Sequence, residues 1–427
     1  MQIHIVRPGD TPASVAARFD IPTALLLSLN GLNTQSVLVV GQALLIRTPR
    51  ETHTVRAGET VYSIARLYGL SPRQLYQNNF FLGGRGALSV GDTLVIAYND
   101  EPKRTIDVNA YAYPYIEADL LHAALPYLTY LTPFTYGIRA DGTLLPLADD
   151  AMLSAAGHYR TAGLMHLSTL TDDGQFDNRR STLVLEEPAA QDALIGDILQ
   201  TLRGKSYVGL DVDFEYVLPQ EREAYAAFIA RLRDALNSLG YPVIVALAPK
   251  TSAEQRGLLY EAHDYALLGD AANAVFLMTY EWGYTYGPPM AVAPLPQVRA
   301  VVDYAVTEIP PEKILLGLPF YGYDWTLPFA SGESRAVSLS PQQAVERAAQ
   351  LHAEIQYDEA SQAPRYYYTD SGGRAHVVWF EDVRSISAKL RLVEQYGLKG
   401  VGCWSLMRPF PQGWNTLAAL YDVEVLL

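Results

Sequence analysis

Hydrophobic and polar positions alternate most clearly over Leu210-Asp211-Val212-Asp213-Phe214-Glu215. Alternate side chains of a β-strand share a face. Asp211, Asp213 and Glu215 are therefore expected on one side, and Val212 and Phe214 on the other, where a layer of helices would cover them. The lead-in Tyr207-Val208-Gly209 has no polar alternation, which argues against a solvated edge strand. Further short apolar runs predict strands at Ile106–Tyr113, Tyr127–Tyr136, Gly163–Leu167, Gly209–Glu215, Val243–Ala248, Ala274–Tyr280, Ile314–Pro319 and Gly400–Trp404. Helical patterns lie between them, clearest at Ala189–Arg203, Gln220–Leu239, Leu295–Val306 and Asp382–Gln395. Eight strands interleaved with helices from Thr105 to Leu427 predict an α/β fold, a (β/α)8 TIM barrel. A small α+β insertion is expected between the seventh and eighth strands, from Asp324 to Val378. It would hold a helix near Pro341–Leu351 and strand-like runs at Ile355–Tyr357 and Arg365–Thr369. Asp370-Ser371-Gly372-Gly373 reads as a hairpin turn into Ala375–Trp379.

The first hundred residues repeat. Val6-Arg7-Pro8-Gly9-Asp10-Thr11 returns 49 positions later as Val55-Arg56-Ala57-Gly58-Glu59-Thr60, and Asn30 returns as Asn79. Gly41-Gln42-Ala43-Leu44-Leu45-Ile46 returns one residue later still, as Gly91-Asp92-Thr93-Leu94-Val95-Ile96. Such a period means two copies of one small unit, at 1–48 and 52–98. Each copy predicts a β-α-α-β order, with first helices at Ala13–Phe19 and Val61–Tyr68. Asp10 or Thr11, and Glu59 or Thr60, are the expected caps. Asn99-Asp100-Glu101-Pro102-Lys103-Arg104 is polar and contains proline, so it reads as a linker to the main domain at 105–427.

Composition narrows the chemistry. The formal net charge of -14 excludes nucleic acid as a natural partner. Cys403 is the only cysteine, so neither an intrachain disulfide nor a multi-cysteine metal site is expected. No apolar stretch approaches a membrane span. The amino terminus has no basic segment followed by an apolar run, so no secretory signal is expected. A monomer made in the cytoplasm, without cofactor or metal, is the expectation.

Three carboxylates on the inner face of a sheet repel one another, so one should keep its proton near neutral pH. Such a carboxyl can serve as a general acid. In this kind of barrel the chemistry gathers where strands end, which puts Glu215 at the mouth and Asp211 and Asp213 below it. Other strand ends supply Tyr111, Tyr113, Met278, Tyr280, Glu281, Trp282, Tyr321 and Trp404. Aromatic faces suit the apolar faces of sugar rings, and hydroxyls and carboxylates suit their edges.

Gly209-Leu210-Asp211-Val212-Asp213-Phe214-Glu215 resembles the acidic signature of glycoside hydrolase family eighteen. Met278-Thr279-Tyr280-Glu281-Trp282-Gly283 resembles that family's sixth-strand motif, Gly400-Val401-Gly402-Cys403-Trp404-Ser405 its eighth, and His376–Asp382 the end of its insertion. The two repeats resemble LysM modules, which implies binding to glycans that contain N-acetylglucosamine. Together they resemble the spore-cortex lytic N-acetylglucosaminidases, which implies a place in the spore. Two positions depart from the wider family pattern: Val208 and Glu281 each stand where aspartate is usual. The resemblance implies that Glu215 protonates the leaving oxygen and that Asp213 supports attack by the substrate's own N-acetyl group. It further implies that Asp211 holds Asp213, that Tyr280 bonds the N-acetyl oxygen and that Trp404 forms the floor. This class departs from the two-carboxylate scheme of most glycosidases. The residues alone leave other readings open: a non-hydrolysing sugar binder, a chitin-oligomer hydrolase, or a metal enzyme using Asp211 and Asp213.

Overall fold

The computed structural model describes residues 1–101 and 104–427. Eight parallel strands form the barrel in chain order: Thr105–Ala112, Tyr130–Pro133, a divided third strand, Leu210–Asp213, Val243–Leu247, Ala274–Leu277, Ile314–Pro319 and Gly400–Trp404. The third strand closes the sheet in two pieces. Ala162–Gly163 pairs with the second strand and Met165–Ser168 with the fourth.

The alternation in the acidic strand is realised. Leu210, Val212 and Phe214 are fully buried toward the helix layer. Phe214 stacks on Tyr225 and Phe228, at ring separations of 5.8 and 6.1 Å, from the helix Arg222–Asn237. Burying each such ring stabilises by about 1.5–3 kcal/mol, which fixes which way the acidic face looks. The regular strand ends at Asp213. Glu215, expected as its last residue, lies past that end, beside Tyr216 at a positive φ of 57°.

The insertion is a five-stranded antiparallel sheet with the helix Pro341–Gln350 against it. Its strands are Gly322–Thr326, Val337–Leu339, Gln356–Asp358, Ala363–Thr369 and Ala375–Trp379. The first two were not legible in the sequence. Gly322–Thr326 carries a buried aspartate, Asp324, that reads as a loop residue. Arg347, the Tyr368 hydroxyl and His376 all meet its carboxylate, and only the fold brings them there.

Both repeats have the expected element order. Thr11 and Thr60 are the caps, each in a reciprocal box with Ser14 or Ser63. The matched asparagines tie each second helix to its closing strand. Asn30 donates to Leu26 and Leu45 carbonyls and accepts from Leu45 N–H; Asn79 does the same with Leu75 and Val95.

Residues 99–101, in the stretch expected as a linker, lie outside any helix or strand and are tied back to the repeats. Asn99 N–H bonds the Thr48 carbonyl, and Asp100 accepts from Arg47 at 2.6 Å; Pro102 and Lys103 lie outside the described residues. The repeats are docked against the barrel domain. Arg73 donates to the Leu128 carbonyl at 2.5 Å, and Gln77 to that of Pro126 at 2.6 Å. Gln412 of the last helix donates to Asn30 and to the Ala43 carbonyl. Gly41 and Gly84 mark the closest approaches: a Cβ there would sit 1.8 Å from the Ile355 oxygen and 2.0 Å from the His122 oxygen.

Candidate active site

A cleft of about 280 Å³ opens where the barrel strands end. Its walls include Tyr113, Phe134, Phe176, Tyr260, Met278, Tyr280, Trp282 and Trp404, and its acids are Asp213, Glu215 and Glu281. Most of the expected residues therefore converge. Asp211, Tyr111 and Tyr321 lie behind the wall. Tyr111 and Tyr321 were expected to touch sugar, but each gives its hydroxyl to a carboxylate. Tyr111 donates to Asp211 at 2.7 Å, and Tyr321 donates to Glu281. They are 2% and 5% exposed, too covered to serve as a contact face.

The parallel register sets the depth of the acids. Asp211 sits beside His166 and Asp213 beside Ser168 on the third strand. Burial pushes Asp211 up to about 7, the Tyr111 hydrogen bond holding it from rising further. Asp213 is raised well above the usual range by burial, then by the charges of Glu215 and Asp211. Burial and the Glu281 charge raise Glu215. Among the described residues, one oxygen of Asp211 and one of Asp213 have no hydrogen-bond partner. Asp211 and Asp213 are buried and Glu215 half-buried, and burial together with their mutual charges disfavours ionising all three, so protons are held among them at neutral pH.

His166 escaped the sequence reading. Burial lowers it to about 3, and its Nδ1 meets the Thr135 hydroxyl at 2.6 Å. Its Nε2 is 3.7 Å from Asp213, so a neutral imidazole, not a cation, stands beside that acid. A polar residue inside the apolar run Met165-His166-Leu167 was the available signal. Phe176 and Tyr260 were also missed, because they come from loops whose course only the fold defines, and Phe134, at the end of the second strand, was passed over although it lay within the expected strand. Glu281, at φ 67°, is held across the cleft by the Tyr321 and Tyr323 hydroxyls. Among the described residues, no three His, Cys, Asp or Glu side chains gather as a metal site.

The Tyr111 bond stabilises the charged form of Asp211, so Tyr111→Phe should raise that carboxyl. A carboxyl raised on folding stabilises below its unfolded value, and the contribution is lost as pH rises through the folded value. Unfolding free energy should therefore fall between about pH 4 and about pH 7. Tyr111→Phe should carry the fall to higher pH. Urea unfolding at stepped pH reads this, and superimposable profiles would show that the hydrogen bond does not set Asp211.

Comparison with known proteins gives the same picture from outside. The model of the glycosyl hydrolases family 18 matches residues 173–408, and the LysM domain model matches 4–47 and 53–97. The chain is 39% identical to a cortical fragment-lytic enzyme of Bacillus subtilis (strain 168), over 99% of both chains. The crystal structure of the Bacillus cereus spore cortex-lytic enzyme SleL superposes with a TM-score of 0.84 at 35% identity, covering 99% of this chain and 98% of that one. A chitinase from Chromobacterium violaceum ATCC 12472 matches 74% of this chain and 98% of its own, with a TM-score of 0.68 at 25% identity. With its barrel, its cleft and these matches together, the chain belongs to the glycosyl hydrolases family 18 and carries two LysM domains ahead of the barrel.

Proposed function

We propose that this chain hydrolyses the β-1,4 bond that follows N-acetylglucosamine in spore-cortex peptidoglycan or its fragments, with the LysM domains holding it on the glycan. The observation that carries this reading is Asp213 and Glu215 at the foot of an aromatic cleft with Asp211 buried behind them, all three raised. The full-length relative named as a cortical fragment-lytic enzyme supports the choice of substrate.

Glu215 gives its proton to the leaving glycosidic oxygen. The substrate's N-acetyl oxygen attacks the anomeric carbon as that bond breaks. Asp213 ionises to support the positive charge on the cyclic intermediate, Asp211 holds it in place, and the Tyr280 hydroxyl bonds the N-acetyl oxygen. Trp404 forms the floor under the sugar. Water then attacks the same carbon, and Glu215 takes back a proton. Glu281, the other acid of the cleft, is held by two tyrosine hydroxyls, which argues against its serving as a protein nucleophile.

Two displacements at one carbon restore its configuration. The first-formed sugar should therefore be the β anomer, a thiazoline mimic of the intermediate should inhibit competitively, and substrates without the N-acetyl group should fail. Nuclear magnetic resonance during early turnover reads the anomer. An initial α product would mean direct attack by water, and the roles of Asp213 and Tyr280 would fall.

A further inference from the structure

His263 is wholly buried just ahead of the helix Tyr265–Ala271 and forms no part of the cleft wall. The Ala248 N–H can only donate, so Nδ1 of the imidazole, 3.0 Å away, accepts from it. The ring hydrogen therefore sits on Nε2, which donates to the Phe214 carbonyl at 3.1 Å. Burial lowers the imidazole to about 4, against the opposing pull of that carbonyl, so the ring is neutral and free to accept.

The two backbone groups that His263 joins would otherwise have met each other. The fourth and fifth strands pair in parallel as far as Val212 opposite Val245. Carried on by two residues, that register would give the Phe214 carbonyl to the Ala248 N–H. The imidazole stands in this gap and takes both. It spreads the strand ends by the width of a ring and leaves neither group unsatisfied. The Phe214 carbonyl belongs to the same planar peptide unit as the Glu215 N–H. One residue later Tyr216 has a positive φ of 57°, a conformation that persists only where neighbouring contacts impose it. The chain thus turns out of the ladder at Glu215, and His263 grips the last carbonyl before the turn.

His263 is itself held. Its ring lies 6.1 Å from that of Tyr225, which stacks on Phe214. Two residues on, the Tyr265 hydroxyl donates to the Ala248 carbonyl at 2.7 Å and accepts from the Lys250 N–H at 3.0 Å. Side chains from one short segment therefore fix both the N–H and the carbonyl of Ala248, and Pro249 beside it lines the cleft.

We propose that His263 is a positioning residue for cleavage: it wedges apart the ends of the fourth and fifth strands and, through the Phe214 carbonyl, aims Glu215 into the cleft. The inference rests on the reading of Glu215 as the acid.

A misaimed acid hurts most where the leaving group needs its proton. The test measures kcat and KM of the full chain on two glycosides of one N-acetylglucosamine oligomer. One loses a sugar hydroxyl; the other loses dinitrophenolate, which departs without a proton. His263→Asn keeps an acceptor near the Nδ1 position and gives up the donor at Nε2. It should lower kcat about 10²-fold on the sugar leaving group, as a small misplacement does, and at least about tenfold less on dinitrophenolate, with KM little changed. His263→Gln, whose amide nitrogen reaches the Nε2 position, should recover most of that kcat. Tyr265→Phe loosens the same strand end without touching Phe214, so it should lower the melting temperature and leave the ratio of the two rates as it was. Equal losses on both substrates in His263→Asn would overturn the proposal, as would a Tyr265→Phe variant with the same discrimination. Glu215→Gln, measured alongside, separates the two readings. If it too slows both substrates equally, the acid's assignment fails; if it discriminates and His263→Asn does not, the positioning role fails alone.

Discussion

Glu215→Gln should lower kcat by about 10²–10⁴-fold, the range for a lost general acid, while the protein folds and binds glycan as before. The amide keeps the shape of the carboxyl but has no proton to give to the leaving oxygen. Folding should be spared, because among the described residues the Glu215 side chain makes no hydrogen bond on which the barrel end depends. Its environment is repulsive: burial and the Glu281 charge both disfavour its ionised form. Replacing it with a neutral group removes that repulsion, so the melting temperature should hold or rise. Steady-state turnover of a chromogenic N-acetylglucosamine oligomer, read beside a thermal melt, separates the two effects. A fall in kcat of less than about tenfold would remove Glu215 from the acid's role.

Removing residues 1–98 should destabilise the barrel, not merely detach it from glycan. The core is continuous across the junction: Val61, Ile64, Leu75 and Leu82 of the second LysM domain belong to one buried cluster with Leu125, Tyr127 and Trp414 of the barrel. Phe80 packs on Tyr127, and Tyr76 lies edge-on to Tyr159 at 5.8 Å. Deletion would bare these faces to water and remove Arg73 from three carbonyls. A domain has only about 5–15 kcal/mol to lose, and a loss of several would lower Tm by about 10 °C or more. Differential scanning calorimetry of the truncated chain checks this. A soluble 99–427 fragment melting within about 2 °C of the full chain would show that the contacts carry no stability.

The acidic strand was readable because one face had to be buried and the period is two; a slip of one residue would have put Phe214 in the cleft and Asp213 in the core. The repeat was readable because Asn30 and Asn79 perform the same three hydrogen bonds in each copy. What stayed hidden was polar. Arg73, Gln77 and Gln412 look like solvent-facing helix residues until their partners, some tens to hundreds of positions away, are in view. Tyr111 and Tyr321 read as sugar contacts for a related reason: sequence shows an aromatic at a strand end, but not the carboxylate that claims its hydroxyl. The split third strand and the strand at Gly322–Thr326 were obscured because short pieces carry too few alternations to reveal a period.

The glycines at 41 and 84 bear on how such a protein can be re-engineered. LysM units are often imagined as beads, to be exchanged at will between anchoring tails. Here each unit touches the enzyme through a backbone surface with no room for even one methyl group. A unit borrowed from elsewhere would be accepted only if it offered a bare backbone at the same two points, so the anchor is not portable and the graft must be cut to fit its host.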